Sequence, residues 1–195
     1  MGALARFDAT GRWGEEVLVC DERIAAALAA HGLHWGRWPV HEIEGEGAEP
    51  ALAAYAGEIA ELRRRMHVPR IDRVTLSGGD ARWPALRAQF LAEHRHAEAE
   101  VRFFLGGAGL FHVHLDEGGY LGLLCEAGEW VALPAGLRHA FDAGRAPDFD
   151  ALRFFGTEAG WAAQPTPAGA LPLPDFDAFV EHLLALNGQA VEDGA

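Results

Sequence analysis

Apolar and polar positions change rhythm along this chain, and the change divides it. Residues 16–20 (Glu-Val-Leu-Val-Cys) read as a strand. Asp21 follows as the cap of a helix over 24–30 that Gly32 ends. A second extended segment, 33–43, carries Trp35 and Trp38. Residues 49–66 place Leu52, Tyr55, Ile59 and Leu62 at helical spacing, and Arg63, Arg64 and Arg65 suit the negative end of that helix. Residues 71–76 return as a strand, and Ser77-Gly78-Gly79-Asp80 stops it. A short helix over 84–91 starts with Pro84 in its first turn.

From 93 to 155 the texture becomes one of short apolar or alternating runs. Turn signals such as Gly106-Gly107, Gly118-Gly119, Ala127-Gly128 and Pro134-Ala135-Gly136 separate them. Strands at this regular spacing predict a mainly β protein, a sandwich or barrel with a few peripheral helices. Residues 164–174 hold four prolines and read as a linker or surface wrap. A small amphipathic helix over 175–186 sets Phe176, Phe179, Val180, Leu183 and Leu184 on one face, and the last eight residues read as disordered. The expected organisation is one structural domain. Residues 1–80 pack on the barrel, 81–163 form it, and 164–195 supply the wrap, helix and tail.

Composition narrows the chemistry. All 16 basic side chains are arginine, against 29 acidic residues, for a net charge of −13. Without lysine the chain has neither the phosphate-reaching group of a P-loop nor a Schiff-base amine. An acidic surface argues against nucleic acid and against anionic membranes. No apolar run reaches transmembrane length and no secretory pattern opens the chain, so a cytoplasmic protein is expected. Cys20 and Cys125 sit in apolar contexts and read as two buried thiols.

The informative stretch begins Glu93-His94-Arg95-His96 and continues to Glu100 and Arg102. Residues two apart on an extended segment face the same side, so His94 and His96 share a face. Glu100 keeps that side if the chain stays extended. Two imidazoles and a carboxylate suit a divalent transition metal, and His139, after Pro134-Ala135-Gly136, offers a further donor from across a barrel. His112-Val113-His114 has the same spacing but no matching carboxylate, and reads as structural or surface. His31, His34, His41, His67 and His182 are scattered.

The spacing His94-x-His96-x3-Glu100-x6-Gly107 resembles the first cupin motif, and Gly128-x5-Pro134-x-Gly136-x2-His139 the second. The Asn that usually ends the second motif is absent, and Ala143 stands there. The tracts FLAEHRHAEAEVRFFLGGAGLFHVH and LLCEAGEWVALPAGLRHAFDAGRAPDFDALRFFGTEAGW are similar to acireductone dioxygenases of the bacterial type, cupin enzymes of methionine salvage. A looser likeness extends through His34-Trp35-Gly36-Arg37-Trp38.

That resemblance implies a cupin jelly roll and one Fe(II), or Ni(II), per monomer, held by His94, His96, Glu100 and His139. It implies that Arg102 helps form or hold a substrate dianion, that Arg153 lines the pocket, and that Glu93 supports metal incorporation. Phe141 and Trp161 match aromatic positions near the site. The implied partners are acireductone and O2. Iron would give formate and a 2-keto acid; nickel would give formate, carbon monoxide and methylthiopropionate. An apolar wall from Phe103 or Phe104, Phe141, Phe155 and Trp161 would suit a methylthioalkyl chain. Ala99 replaces the Asp that usually precedes the liganding Glu, and Ala-Ala-Gln-Pro-Thr-Pro replaces the usual run after Trp161. Another metal-dependent cupin enzyme, or a metal-bearing cupin that only binds a small molecule, fits the residues alone. A monomer is expected.

Overall fold

The computed structural model describes residues 2–45, 47–157 and 162–192. Among them are eleven strands: β1 (Ala3–Phe7), β2 (Trp13–Leu18), β3 (His34–Arg37), β4 (Arg70–Leu76), β5 (Ala92–Arg95), β6 (Glu100–His114), β7 (Tyr120–Glu126), β8 (Glu129–Leu133), β9 (His139–Asp142), β10 (Phe149–Phe155) and β11 (Gln164–Ala170). Five helices flank them: α1 (Asp21–Ala29), α2 (Ala48–Ala54), α3 (Ala56–Met66), α4 (Trp83–Leu91) and α5 (Phe176–Glu192). The protein is mainly β, as its strand texture predicts. None of the described helices is long and apolar enough to cross a membrane.

Strand β6 belongs to both layers of the barrel. Its first part pairs with β8 and β10, in the order β4-β10-β6-β8-β3. Its last part pairs with β7 and β9, in the order β2-β1-β7-β6-β9-β5-β11. Every pairing is antiparallel. The strand changes layers at Gly106-Gly107. Gly107 has φ +65°, and a Cβ there would lie 1.9 Å from the Asp148 carbonyl oxygen, so only glycine fits.

Alternation along β6 sorts its side chains. Phe104 and Phe111 enter the core between the layers with Leu121, Val131 and Phe141. Val101 and Phe103 face the other way, where Tyr55, Ile59 and Leu62 of the α2–α3 region cover them. Helix α5 covers the outer face of the second layer, with Phe179 against Ala5, Phe7, Leu110 and Leu124. Full burial of each such phenylalanine contributes roughly 1.5–3 kcal/mol.

Close packing of the inner layer makes Gly109 a sensitive position. A Cβ there would lie 2.4 Å from Phe141 Cε2 and 3.1 Å from Phe104 Cε1. Gly109→Ala is expected to cost about 1–3 kcal/mol by overpacking, read as a lower urea midpoint at unchanged slope. A midpoint equal to the wild type would mean that the Phe141 ring has room to move.

The structure corrects several expectations. The helix over 49–66 is two helices, interrupted at Tyr55 (φ −110°, ψ 23°). Tyr55 is fully buried against Phe103, and its hydroxyl accepts a hydrogen bond from the His41 amide, so tertiary packing overrides the helical period. Asp21 is the first residue of α1, and Cys20 holds the cap position without a side-chain hydrogen bond. Of the segment 33–43, only β3 is a strand, ending where its partner β8 begins. The proline-rich tract is strand β11, which pairs with β5. Helix α5 continues to Glu192, and Leu184 stands 65 % exposed rather than on the docked face. Cys125 is buried as expected, but Cys20 is exposed.

Candidate active site

Three neighbouring segments bring the donors together. His94 of β5 and His139 of β9 are register partners, with ring centroids 4.5 Å apart. His96 lies just beyond β5, where its carbonyl accepts a 2.8 Å hydrogen bond from the Gly136 amide. That bond ties the first histidine pair to the turn before His139. Nitrogen atoms of the three rings lie within 4.8 Å of one another. Glu100, the first residue of β6, places Oε2 3.3 Å from His96 Nε2 and 3.5 Å from His139 Nε2.

Hydrogen bonding fixes two of the tautomers. His94 Nδ1–H donates to the Ala92 carbonyl (2.8 Å), and His139 Nδ1–H donates to the Leu137 carbonyl (2.9 Å). A carbonyl can only accept, so each Nε2 keeps its lone pair for a ligand. All four residues are buried. Burial first, then the neighbouring His139, pushes His94 down to about 4, so its imidazole is neutral at pH 7. Burial opposes the charge of Glu100, but Arg102 and then His139 and His96 outweigh it and hold the carboxyl well below its ordinary range. Three imidazole donors and one ionised carboxylate fit a divalent transition metal.

Arg102 stands beside this set. It is 7 % exposed, and one terminal nitrogen donates to Glu100 Oε1 at 2.6 Å. Its guanidinium carbon lies 4.7 Å from the Phe141 ring centroid and 5.4 Å from that of Phe111. These rings hold the cation by their faces. Its buried Nε–H has no hydrogen-bond partner among the described residues. Burial lowers its pKa and Glu100 opposes the shift, and a guanidinium remains charged at working pH.

Arg153 lines the same cavity from β10. Asp72, its register partner on β4, accepts two hydrogen bonds from it, at 2.9 and 2.6 Å. Sequence reasoning missed Asp72, because only the β4–β10 register identifies it. Glu93 is 1 % exposed, and its carboxylate accepts from His114 Nδ1–H at 2.6 Å and from the Thr166 hydroxyl. His114 therefore supports a residue at the pocket's edge rather than standing on a bare surface.

The cavity measures about 360 Å³, and its aromatic wall is Phe90, Phe111, Phe141 and Phe155. Phe103 and Phe104, expected as alternatives for that wall, do not line it: Phe103 lies under Tyr55 and Trp38, and Phe104 lies in the interlayer core. Trp161 lies outside the described residues.

A second ion pair braces β9, the strand of His139. Arg87 of α4 meets both oxygens of fully buried Asp142 at 2.7 Å. Asp142 also accepts from the Phe176 and Gly144 amides, at 2.9 and 3.2 Å. Burial disfavours its charge, but Arg87 and those amides outweigh it and hold the carboxyl below its ordinary 3.8. Arg87→Ala leaves that carboxylate buried without its cation, an expected loss of about 3 kcal/mol at pH 7. The stability from the depressed Asp142 value is complete above pH 3.8, the unfolded value, and is lost as pH falls through the lower folded value, so the gap to the variant closes in acid. Urea unfolding across pH 2–7 reads both the size and the sign. A gap between variant and wild type that widens on acidification would contradict this linkage.

With the geometry in place, comparisons with known proteins point the same way. Residues 50–163 match the model of the ARD/ARD' family. An acireductone dioxygenase of Synechococcus sp. (strain ATCC 27144 / PCC 6301 / SAUG 1402/1) is 46 % identical over 143 residues, covering 72 % of this chain and 78 % of its own. Acireductone dioxygenase 1 of Nocardia farcinica is 42 % identical over 165 residues, covering 80 % and 87 %. A solved acireductone dioxygenase from Bacillus anthracis, with a cadmium ion in its active center, superposes with a TM-score of 0.72 at 25 % identity, covering 84 % of this chain and 97 % of that one. The buried three-histidine cluster with Glu100 beside it thus lies on a shared fold and wholly inside the matched region, and the chain belongs to the ARD/ARD' family of acireductone dioxygenases.

Proposed function

We propose that this chain cleaves acireductone, 1,2-dihydroxy-3-keto-5-(methylthio)pent-1-ene, with O2 in methionine salvage. The carrying observation is the convergence of His94, His96, His139 and Glu100 beside buried Arg102. These four residues would hold Fe(II) or Ni(II). When bound, such a metal supplies Lewis acidity and redox chemistry for the reaction of an enediolate with O2.

The rest is the work of the chain's own residues. Arg102 lines the cavity, and its guanidinium suits an enediolate oxygen. Its charge favours the deprotonated substrate, since one cation in a water-poor site outweighs several in solvent. Arg153, oriented by Asp72, adds a second guanidinium from the neighbouring strand. Glu93, held by His114 and Thr166, keeps β5 in place behind His94. Phe141 closes the floor of the pocket, and Phe155 flanks the apolar tail and excludes water.

For iron the balanced products are formate and 4-methylthio-2-oxobutanoate; for nickel they are formate, carbon monoxide and 3-methylthiopropionate. Each pair or triple accounts for all atoms of acireductone plus O2. An oxygen electrode tests the assignment. Metal-loaded protein should consume oxygen only when acireductone is present and release formate. Stoichiometric acireductone binding without oxygen uptake would reduce the protein to a binding module.

A further inference from the structure

The cavity grades from a buried floor to an exposed rim. Glu100, Arg102, Phe111 and Phe141 form the buried part, whereas Gln89, Ala163 and Pro165 line it from exposed positions. Groups that can grip an enediolate lie at the floor. A substrate whose reacting oxygens reach them must therefore run its unreactive carbon chain toward the rim.

The tract that contributes Ala163 and Pro165 begins where the family match stops, at residue 163. It is not a loose tail. Pro165 lies in register with His94 and Gln164 with Arg95, so β11 is paired directly onto the strand of a proposed metal ligand. The Thr166 hydroxyl donates to Glu93 and fixes the next residue. Beyond Pro165 the register shifts before pairing resumes at Ala170, so the firm contact is concentrated beside the cavity. The strand's sequence, Gln-Pro-Thr-Pro-Ala-Gly-Ala, carries no charge and no bulky side chain. With Phe90 and Phe155 it offers an apolar rim with a small-residue side.

We propose that Ala163 and Pro165 are specificity-determining residues that set the length of acireductone tail the site accepts, with Thr166 positioning strand β11, which Ala163 immediately precedes. This inference rests on the acireductone reading above. Its physical basis is occlusion: one misfitted methylene in an apolar pocket changes kcat/KM by about 10–200-fold.

The test uses acireductones sharing one head and carrying methyl, methylthioethyl or hexyl tails. For each, kcat/KM is measured by oxygen uptake, and affinity is measured anaerobically by calorimetry on the same metal-loaded protein. Ala163→Phe should weaken both quantities at least about tenfold for the hexyl tail while changing the methyl compound by less than about twofold. Thr166→Val should compress the difference between tails, and Thr166→Ser should restore it. Losses in Ala163→Phe that are equal for all tails, or no change at all, overturn the proposal. Tail-dependent anaerobic binding without oxygen uptake in the wild type overturns the activity assignment and leaves the wall standing.

Discussion

Arg102→Ala is expected to lower kcat/KM for acireductone by about 10²–10³-fold, the cost of removing one positioned donor from a developing oxyanion. The protein should still take up one equivalent of metal at pH 7. The expectation follows from where the side chain sits. Arg102 is buried over Phe141, is paired to Glu100 at 2.6 Å, and keeps a donor that no described residue uses. Its loss removes the cation that favours the substrate anion, so the defect should appear in kcat as well as in anaerobic affinity. Raising pH should recover part of the activity, because solvent base then supplies the deprotonated substrate. Arg102→Lys keeps a charge but loses the flat group that lies over the two rings, so it should recover only part of the loss. An Arg102→Ala protein with unaltered kcat/KM would remove the arginine from the chemistry. One that loses its metal would make Arg102 a structural partner of Glu100 alone.

Replacing a donor should have the larger effect on the metal itself. His96→Ala, His139→Ala and Glu100→Gln are each expected to weaken metal affinity by at least about 100-fold, beyond the 10–100-fold typical of changes to groups that merely support ligands. The three positions differ in the way they fail. His139 is cross-strand to His94, so its removal also takes away the ring contact between β9 and β5. Glu100→Gln keeps the shape but withdraws the one anion from the set, and leaves Arg102 buried without its partner. That variant should therefore be less stable than the wild type even without metal. Dialysis against a chelator followed by metal analysis measures affinity, and urea unfolding of the metal-free proteins measures the second difference. A Glu100→Gln protein with full metal affinity would take the carboxylate out of the site.

Much of the site was legible because its residues lie in two short tracts. The two-residue spacing of His94 and His96 states a common face, but the chain bends at 97–98 before β6 starts at Glu100, so the turn and not continued extension brings Glu100 to the histidines. His139 required the second tract, since its approach to His94 is a cross-strand relation. Partners set by pairing were not legible: Asp72 meets Arg153 from a strand far away in sequence, and Thr166 meets Glu93 from a proline-rich tract that reads as a linker. Prolines there obscured β11, although Pro165 has no N–H to offer and a strand at the sheet's edge tolerates that. Phe103 and Phe104 were ambiguous because either phase of an apolar strand in a two-layer barrel is buried, one against α3 and one in the interlayer core. The break at Tyr55 likewise comes from the packing of one aromatic ring, which helical period alone does not record.

The most direct measurement is to strip the protein of metal anaerobically, reload it separately with Fe(II) and Ni(II), and supply acireductone and O2. Formate, keto acid and carbon monoxide are then quantified. The account predicts metal-dependent oxygen uptake with formate in both samples, keto acid with iron, and carbon monoxide with nickel. No oxygen uptake with either metal bound at one equivalent would contradict it.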